Sequence, residues 1–223
     1  MKTDITNAKP ILFNTEMVKA ILDGTKKQIR RPIKLNIKKD NKIHSLNGAV
    51  FTIDNKLYFE HNLIENFSKY KVDNILYVKE PCKIMTLKGC HSDKSLILVY
   101  KYRNDITNTE YEIKLPDRFY KKDNAVPDWV SWFGKTIIPT GSIKEMARIF
   151  LKVTNVRVER LQDIRVRDIE KETGWKREKY SYSNKNRAFY KDYRDLWNST
   201  AKDGYKWKDN PYVFIYEFER VQK

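Results

Sequence analysis

The first regular pattern along the chain has helical period. Met17, Val18, Ile21 and Leu22 recur at the spacing that places apolar side chains on one stripe. Asn14 or Thr15 is placed to cap the N-terminus, Glu16 suits the positive end of the dipole, and Gly24, which tolerates the left-handed conformation, ends the helix. Thr25 to Arg31 then runs on as a loop or extended segment closed by Pro32. Beyond this point the period shortens to that of strands. Residues 49–53 and 56–59 predict a hairpin turning at Asp54-Asn55, NILYVKE (74–80) predicts a buried strand, and 95–102 with 109–115 predict a second hairpin around Asn104-Asp105. Residues 116–142 carry three prolines with Trp129, Trp132 and Phe133, a pattern that predicts a long surface loop pinned by aromatics. In residues 146–161, Ile149, Leu151 and Val153 alternate with polar or outward positions until Asn155, where the phase shifts to Val156 and Val158 as a bulge or turn requires. A short helix is expected over 163–172 and a longer one over 185–198, the latter with Phe189, Tyr193, Leu196 and Trp197 on one face. A final strand, NPYVFIYEFERV, follows Pro211. Many short strands with few helices predict an α+β fold, a small barrel-like sheet decorated by helices.

Charge changes this picture more than size does. The 223 residues suit one domain, and 45 Lys plus Arg against 29 Asp plus Glu leave a net charge of +16, with 13% aromatic residues. An anionic partner is the first expectation, although a Lys- and Asn-rich composition with few glycines also follows from genome bias. The two cysteines, Cys82 and Cys90, form no CxxC pair; with His91 they make a poor metal set, so packing is expected and neither metal nor cofactor is implied. MKTDITNAKPILFN lacks an apolar leader segment and no run approaches a membrane span, so a cytoplasmic protein without a membrane partner is expected. The sequence carries no signal for oligomeric state.

The candidate chemistry lies in DGTKKQIRRPIK (23–34), where Lys26, Lys27, Arg30 and Arg31 begin as the helix ends. Cations near a helix C-terminus gain from its dipole without any ligand. These continue past the last turn and meet a proline that stiffens the chain, which favours a fixed basic edge. A second basic and aromatic stretch, residues 175–197, places Phe189, Tyr193 and Trp197 at core spacing and leaves Tyr180 and Tyr182 as candidates for stacking an unpaired base.

Gly24-x-Lys26-x-x-x-x-Arg31 resembles the GxKxxxxR signature of ASCH domains, whose fold is a PUA-like β-barrel associated with RNA. LYVKEP (76–81), MARIFLKVTNVRVERLQDI (146–164), DIEKETGW (168–175), LW (196–197) and WKDNPYVFIYEF (207–218) are similar, in the same order, to the longer ASCH-type proteins of phages and prophages. The resemblance implies a single domain over 1–223 with less constrained insertions at about 36–75 and 86–140. It also implies a cleft beside the first helix lined by Lys26, Arg30 and Arg31, with Tyr77, Lys79 and Glu80 available to the opposite wall. Some small ASCH proteins are amidohydrolases on N4-acetylcytidine that use a Lys, a Thr three residues later and a Glu. Lys26 matches the first and Glu172 the third, but the middle position is Ile29, which offers no nucleophile or proton donor. Others are ribonucleases, a chemistry in which Lys and Arg stabilise charge on phosphorus and a carboxylate serves as base. The expected function is therefore RNA or other nucleic-acid binding. The alternatives are a hydrolase acting on RNA or a modified nucleoside through Lys26 and Glu172, and an interaction protein for an acidic host partner.

Overall fold

The computed structural model describes residues 4–34, 43–45, 50–53, 56–89, 94–103, 105, 107–117, 120, 137–138, 143–180 and 184–222. In chain order the elements are β1 (Lys9–Leu12), α1 (Thr15–Leu22), β2 (Gln28–Pro32), β3 (His44–Ser45), β4 (Val50–Ile53), β5 (Lys56–Phe59), α2 (Glu60–Phe67), β6 (Ile75–Lys79), β7 (Cys82–Lys88), β8 (Ile97–Tyr102), β9 (Tyr111–Lys114), β10 (Ile137–Ile138), β11 (Phe150–Arg160), α3 (Val166–Thr173), α4 (Lys185–Thr200) and β12 (Tyr212–Val221). The fold is α+β. Two compact units are formed, one of Met1–Lys19, Ile75–Leu151 and Val221–Lys223, the other of Ala20–Asn74 and Lys152–Arg220. Among the described residues no helix is long and apolar enough to cross a membrane.

In the first unit β1 runs parallel to β6, pairing Ile11 with Val78, and a separate antiparallel sheet has the order β10-β7-β8-β9. The expected hairpin of residues 95–115 is present as β8 and β9. Strand β7, not anticipated from its mixed pattern, pairs with β8 through a register shift between Ile84 and Thr86. Its inward residues Cys82 and Ile84 join Leu98, Tyr100, Tyr102, Leu115 and Met146 in one apolar cluster. Cys82 is thus a packing residue, and burial raises its thiol to about 11.

In the second unit β12 lies between β11 and β2, antiparallel to β2 with Ile215 opposite Arg30 and Tyr216 opposite Ile29. Alternation along both strands sends Gln28, Arg30, Val213 and Ile215 to one face and Ile29, Phe214 and Tyr216 to the other. Helices α3 and α4 cover the first face: Ile169, Phe189, Tyr193 and Trp197 pack with Val213 and Ile215. The expected phase shift in β11 is real. Val153 and Val156 are both buried while Thr154 and Asn155 between them are exposed, without ending the strand. The hairpin of β4 and β5 forms as expected and gains β3 on its other edge. Helix α2 follows directly, an element the sequence pattern did not announce because only Leu63 of its eight residues is buried.

The expected barrel is not closed among the described residues. The strand orders are open, since edge strands such as β9 and the two-residue β3 and β10 find no further partner there to complete a ring. The aromatic loop with Trp129, Trp132 and Phe133 lies outside the described residues, as do Cys90, His91 and Tyr182.

Two turns hold β2 against α3. At φ 69° Gly24 ends α1, after which the Thr25 and Lys26 amides both donate to the Ala20 carbonyl at 2.9 Å. At φ 78° Gly174 ends α3, where a Cβ would sit 2.6 Å from Thr25 Oγ1 and 3.1 Å from Ala20 Cβ. Gly174→Ala adds left-handed strain to that collision, and we expect it to destabilise the fold by at least about 1 kcal/mol. Chemical denaturation of the variant measures this; a stability equal to that of the parent would show that the two turns do not press on each other.

Candidate functional site

The last carbonyls of α3 determine where Lys26 goes. A helix of eight residues leaves its final carbonyls without intrahelical partners, and here they are met one by one. Glu170 O accepts from the Gly174 amide at 2.9 Å and Lys171 O from the Lys27 amide at 2.7 Å. Glu172 O accepts from the Lys26 ammonium, which also donates to Gln28 O at 3.0 Å. The signature lysine is therefore a cation at a helix C-terminus, only 3% exposed. Burial pulls its pKa down to about 8, opposed by Glu172 and assisted by Arg31 and Arg30.

One turn of chemistry further in, the Glu172 side chain grips β2 twice. Oε1 accepts from the Arg30 amide at 3.0 Å and Oε2 from Arg30 Nη1 at 2.6 Å. Burial works against the Arg30 charge, but Glu172, Tyr193 and Asp168 together outweigh it and hold the guanidinium above its ordinary range. The other edge of that guanidinium, Nε and Nη2, makes no hydrogen bond; Nη2 faces Glu159 Oε2 at 3.6 Å and Asp168 Oδ2 at 3.8 Å. Arg157 joins the same two carboxylates from β11, with Nε 2.7 Å from Glu159 and Nη2 3.6 Å from Asp168, and also binds Glu217. Tyr193, fully enclosed on α4, lies in the field of Glu172 and Arg30 without reaching hydrogen-bond geometry, and burial first and then Glu172 raise its phenol well above the usual range. The floor of the site thus holds two arginines among four carboxylates.

Beside this floor is an open cleft of about 440 Å³, lined by Arg157, Glu159, Asp163, Arg165, Arg167, Asp168, Lys171 and Glu217. Arg165 and Arg167 are exposed at the first turn of α3, and Lys171 lies one turn beyond Arg167 on the same side. Exposed Lys27 is tied to Lys171 through the backbone. None of these four cations forms an ion pair among the described residues.

The residues expected to share one cleft differ in burial and in the unit they belong to. Lys26, Arg30 and Glu172 come together but are buried, whereas Arg31, on the opposite face of β2, is exposed. Ile29 is 2% exposed in the core on that opposite face, and the Thr25 hydroxyl donates to Ala20 O at 3.0 Å, so neither supplies a hydroxyl at Lys26. Tyr77 and Lys79 are half-buried on β6 of the first unit. Glu80 there is buried and taken by Arg148, with Nη2 to Oε2 at 3.0 Å. Tyr180 packs edge-on against Phe189 and donates to Asp192 at 2.9 Å. Of the network residues, Arg157, Glu159 and Glu217 were not singled out from the sequence. Their only signal was polar positions alternating with Val156, Val158, Tyr216 and Phe218 on strands, which any solvated face would show.

Among the described residues no group of three or more His, Cys, Asp or Glu is arranged to hold a metal ion. Comparison with protein-family models, with curated proteins and with solved structures returns no match.

Lys26 makes stability depend on pH in a defined direction. The unfolded lysine titrates near 10.5 and the folded one at about 8, so between these values the unfolded chain binds more protons and stability rises with pH. The gain amounts to about 3 kcal/mol at most. The stability of the wild type relative to Lys26→Met should therefore increase as pH climbs from about 8 toward 10.5. Denaturant melts of both proteins across that range provide the check, and parallel curves would refute a buried, readily neutralised lysine.

Proposed function

We propose that this chain is a nucleic-acid-binding protein of ASCH/PUA-like type, with RNA the favoured ligand. Its phosphate contacts fall to Lys27, Arg165, Arg167 and Lys171 rather than to the buried Lys26 and Arg30. The observation that carries this reading is the row of four cations without an ion pair among the described residues, beside an open cleft whose carboxylates are largely engaged by two arginines. A floor with four carboxylates for two arginines repels phosphate, which directs a backbone to the cationic rim. The meeting of Lys26, Arg30 and Glu172 agrees with the family resemblance, as does the α+β arrangement. The net charge of +16 supplies the long-range attraction.

A second reading, hydrolysis of RNA or a modified nucleoside, draws on one observation: a lysine lowered to about 8 beside Glu172. Against it stand the burial of Lys26 and Ile29 at the hydroxyl position. On this reading Glu172→Gln abolishes product formation while RNA binding persists; on the binding reading no product forms with either protein.

Binding of single-stranded RNA across a salt series tests the first reading. Each phosphate neutralised contributes about 0.7 to the slope of log affinity against log salt for a single strand. Arg165→Ala/Arg167→Ala should lower that slope by about 1.4, and duplex DNA should bind more weakly than RNA. A slope unchanged by the double substitution would place the phosphates elsewhere and overturn the proposed rim.

A further inference from the structure

In the first unit Arg148 is held flat by partners on three sides. Nε lies 3.2 Å from both oxygens of Glu80, and Nη2 lies 3.0 Å from Oε2. Glu80 is 1% exposed, so this edge of the guanidinium faces inward. One face of the guanidinium rests on the Tyr102 ring, 4.1 Å from its centroid. Tyr102 is itself fixed, since its hydroxyl donates to Met146 O and its ring meets Tyr111 edge-on at 4.9 Å. Asp105 Oδ2 stands 4.0 Å from Nη1 and accepts from the Tyr111 hydroxyl at 2.6 Å. With one face on Tyr102 and one edge on Glu80, the Arg148 side chain as a whole keeps 25% of its surface accessible.

We propose that the outer face of the Arg148 guanidinium is a stacking platform for an unpaired nucleobase. The ligand class follows from the charges. Glu80 and Asp105 give Arg148 two carboxylates for its single positive charge, so a phosphate arriving there meets net repulsion. A flat, weakly hydrated cation still attracts a π-face, and this one is already ordered: its plane is fixed before any ligand arrives, so little rotamer entropy remains to be lost. Stacking of bases on Arg planes and aromatic rings is the usual way single-stranded RNA is held, and half-buried Tyr111 stands beside the platform as a second ring. The inference rests on the RNA-binding reading and adds to it a base contact that the phosphate rim does not supply.

The test compares a short single-stranded RNA with an abasic strand of equal length on the wild type and on Arg148→Lys, which keeps the charge and loses the plane. Wild type should bind the base-bearing strand roughly tenfold more tightly than the abasic one, and Arg148→Lys should remove most of that difference with an unchanged near-ultraviolet dichroism spectrum. RNA carrying a photoreactive thiouridine, irradiated with wild type, should crosslink to a peptide containing Tyr111 or Arg148. This second measurement decides the matter if Arg148→Lys does not fold. Equal preference for the base-bearing strand in both proteins, or crosslinks confined to other peptides, would overturn the platform while leaving RNA binding in place. No RNA binding by the wild type at any salt would overturn both.

Discussion

The second unit depends on one carboxylate. Glu172 is buried, and Arg30 gives it both a backbone and a guanidinium donor there. The pair fastens α3 to β2 at the place where α3 ends, and the neighbouring Lys26 and Lys27 bonds fall on consecutive carbonyls of the same helix turn. Removing either partner strands a buried charge, a loss of about 3–5 kcal/mol in comparable pairs. A well-packed apolar pair in the same volume would be at least as stable. What the ionic pair adds is register: the donors on β2 are spaced to meet one carboxylate and one helix end, and a strand slipped by one residue would send Arg30 to the other face.

That fastening divides the cations of the chain into two populations with different physics. Lys26 and Arg30 are committed to a helix end and a carboxylate, and their charge is balanced within a few ångströms. Lys27, Arg165, Arg167 and Lys171 stand around the same helix and form no ion pair among the described residues. An incoming polyanion must displace an existing partner to reach the first group, whereas the second releases only counterions. In the first unit Arg148 likewise has carboxylates close by, Glu80 and Asp105. The local balance of carboxylates, more than the density of Lys and Arg, sets how much net positive charge a cationic group presents.

Much of this architecture was legible in the sequence. The helix ended by Gly24, the β8–β9 hairpin, the phase change at Asn155 and the aromatic face of α4 all followed from period and end signals, because each is decided by contacts a few residues apart. Helix α2 and strand β7 were not legible, since each buries too few residues to impose a period of its own. At the site, the accessibility of the motif's residues was not legible: Lys26 and Arg30 are buried. A run such as KKQIRR does not tell which of its side chains a strand will turn inward, and the carboxylate that draws Arg30 in lies 142 residues away. The partners Glu159 and Glu217 were invisible for the same reason, being ordinary acidic residues until neighbouring strands bring them beside Arg30 and Arg157.

Ile29 shows how the fold limits the chemistry of its own motif. Strand β2 has to satisfy two environments, a charged one under α3 through Gln28 and Arg30, and an apolar one through Ile29, which is paired across the strand with Tyr216. The Tyr216 hydroxyl is already engaged by Ser68 at 2.9 Å, and the ring lies edge-on to Tyr70 at 5.2 Å, so this face is closed and its polar groups are matched. A threonine at position 29 would bring a further hydroxyl into that packed layer, on the opposite side of the strand from Arg30, and would need a partner there. Isoleucine fills the position without that demand. In this chain β2 is a strand whose buried side chains are committed to packing and to one ion pair.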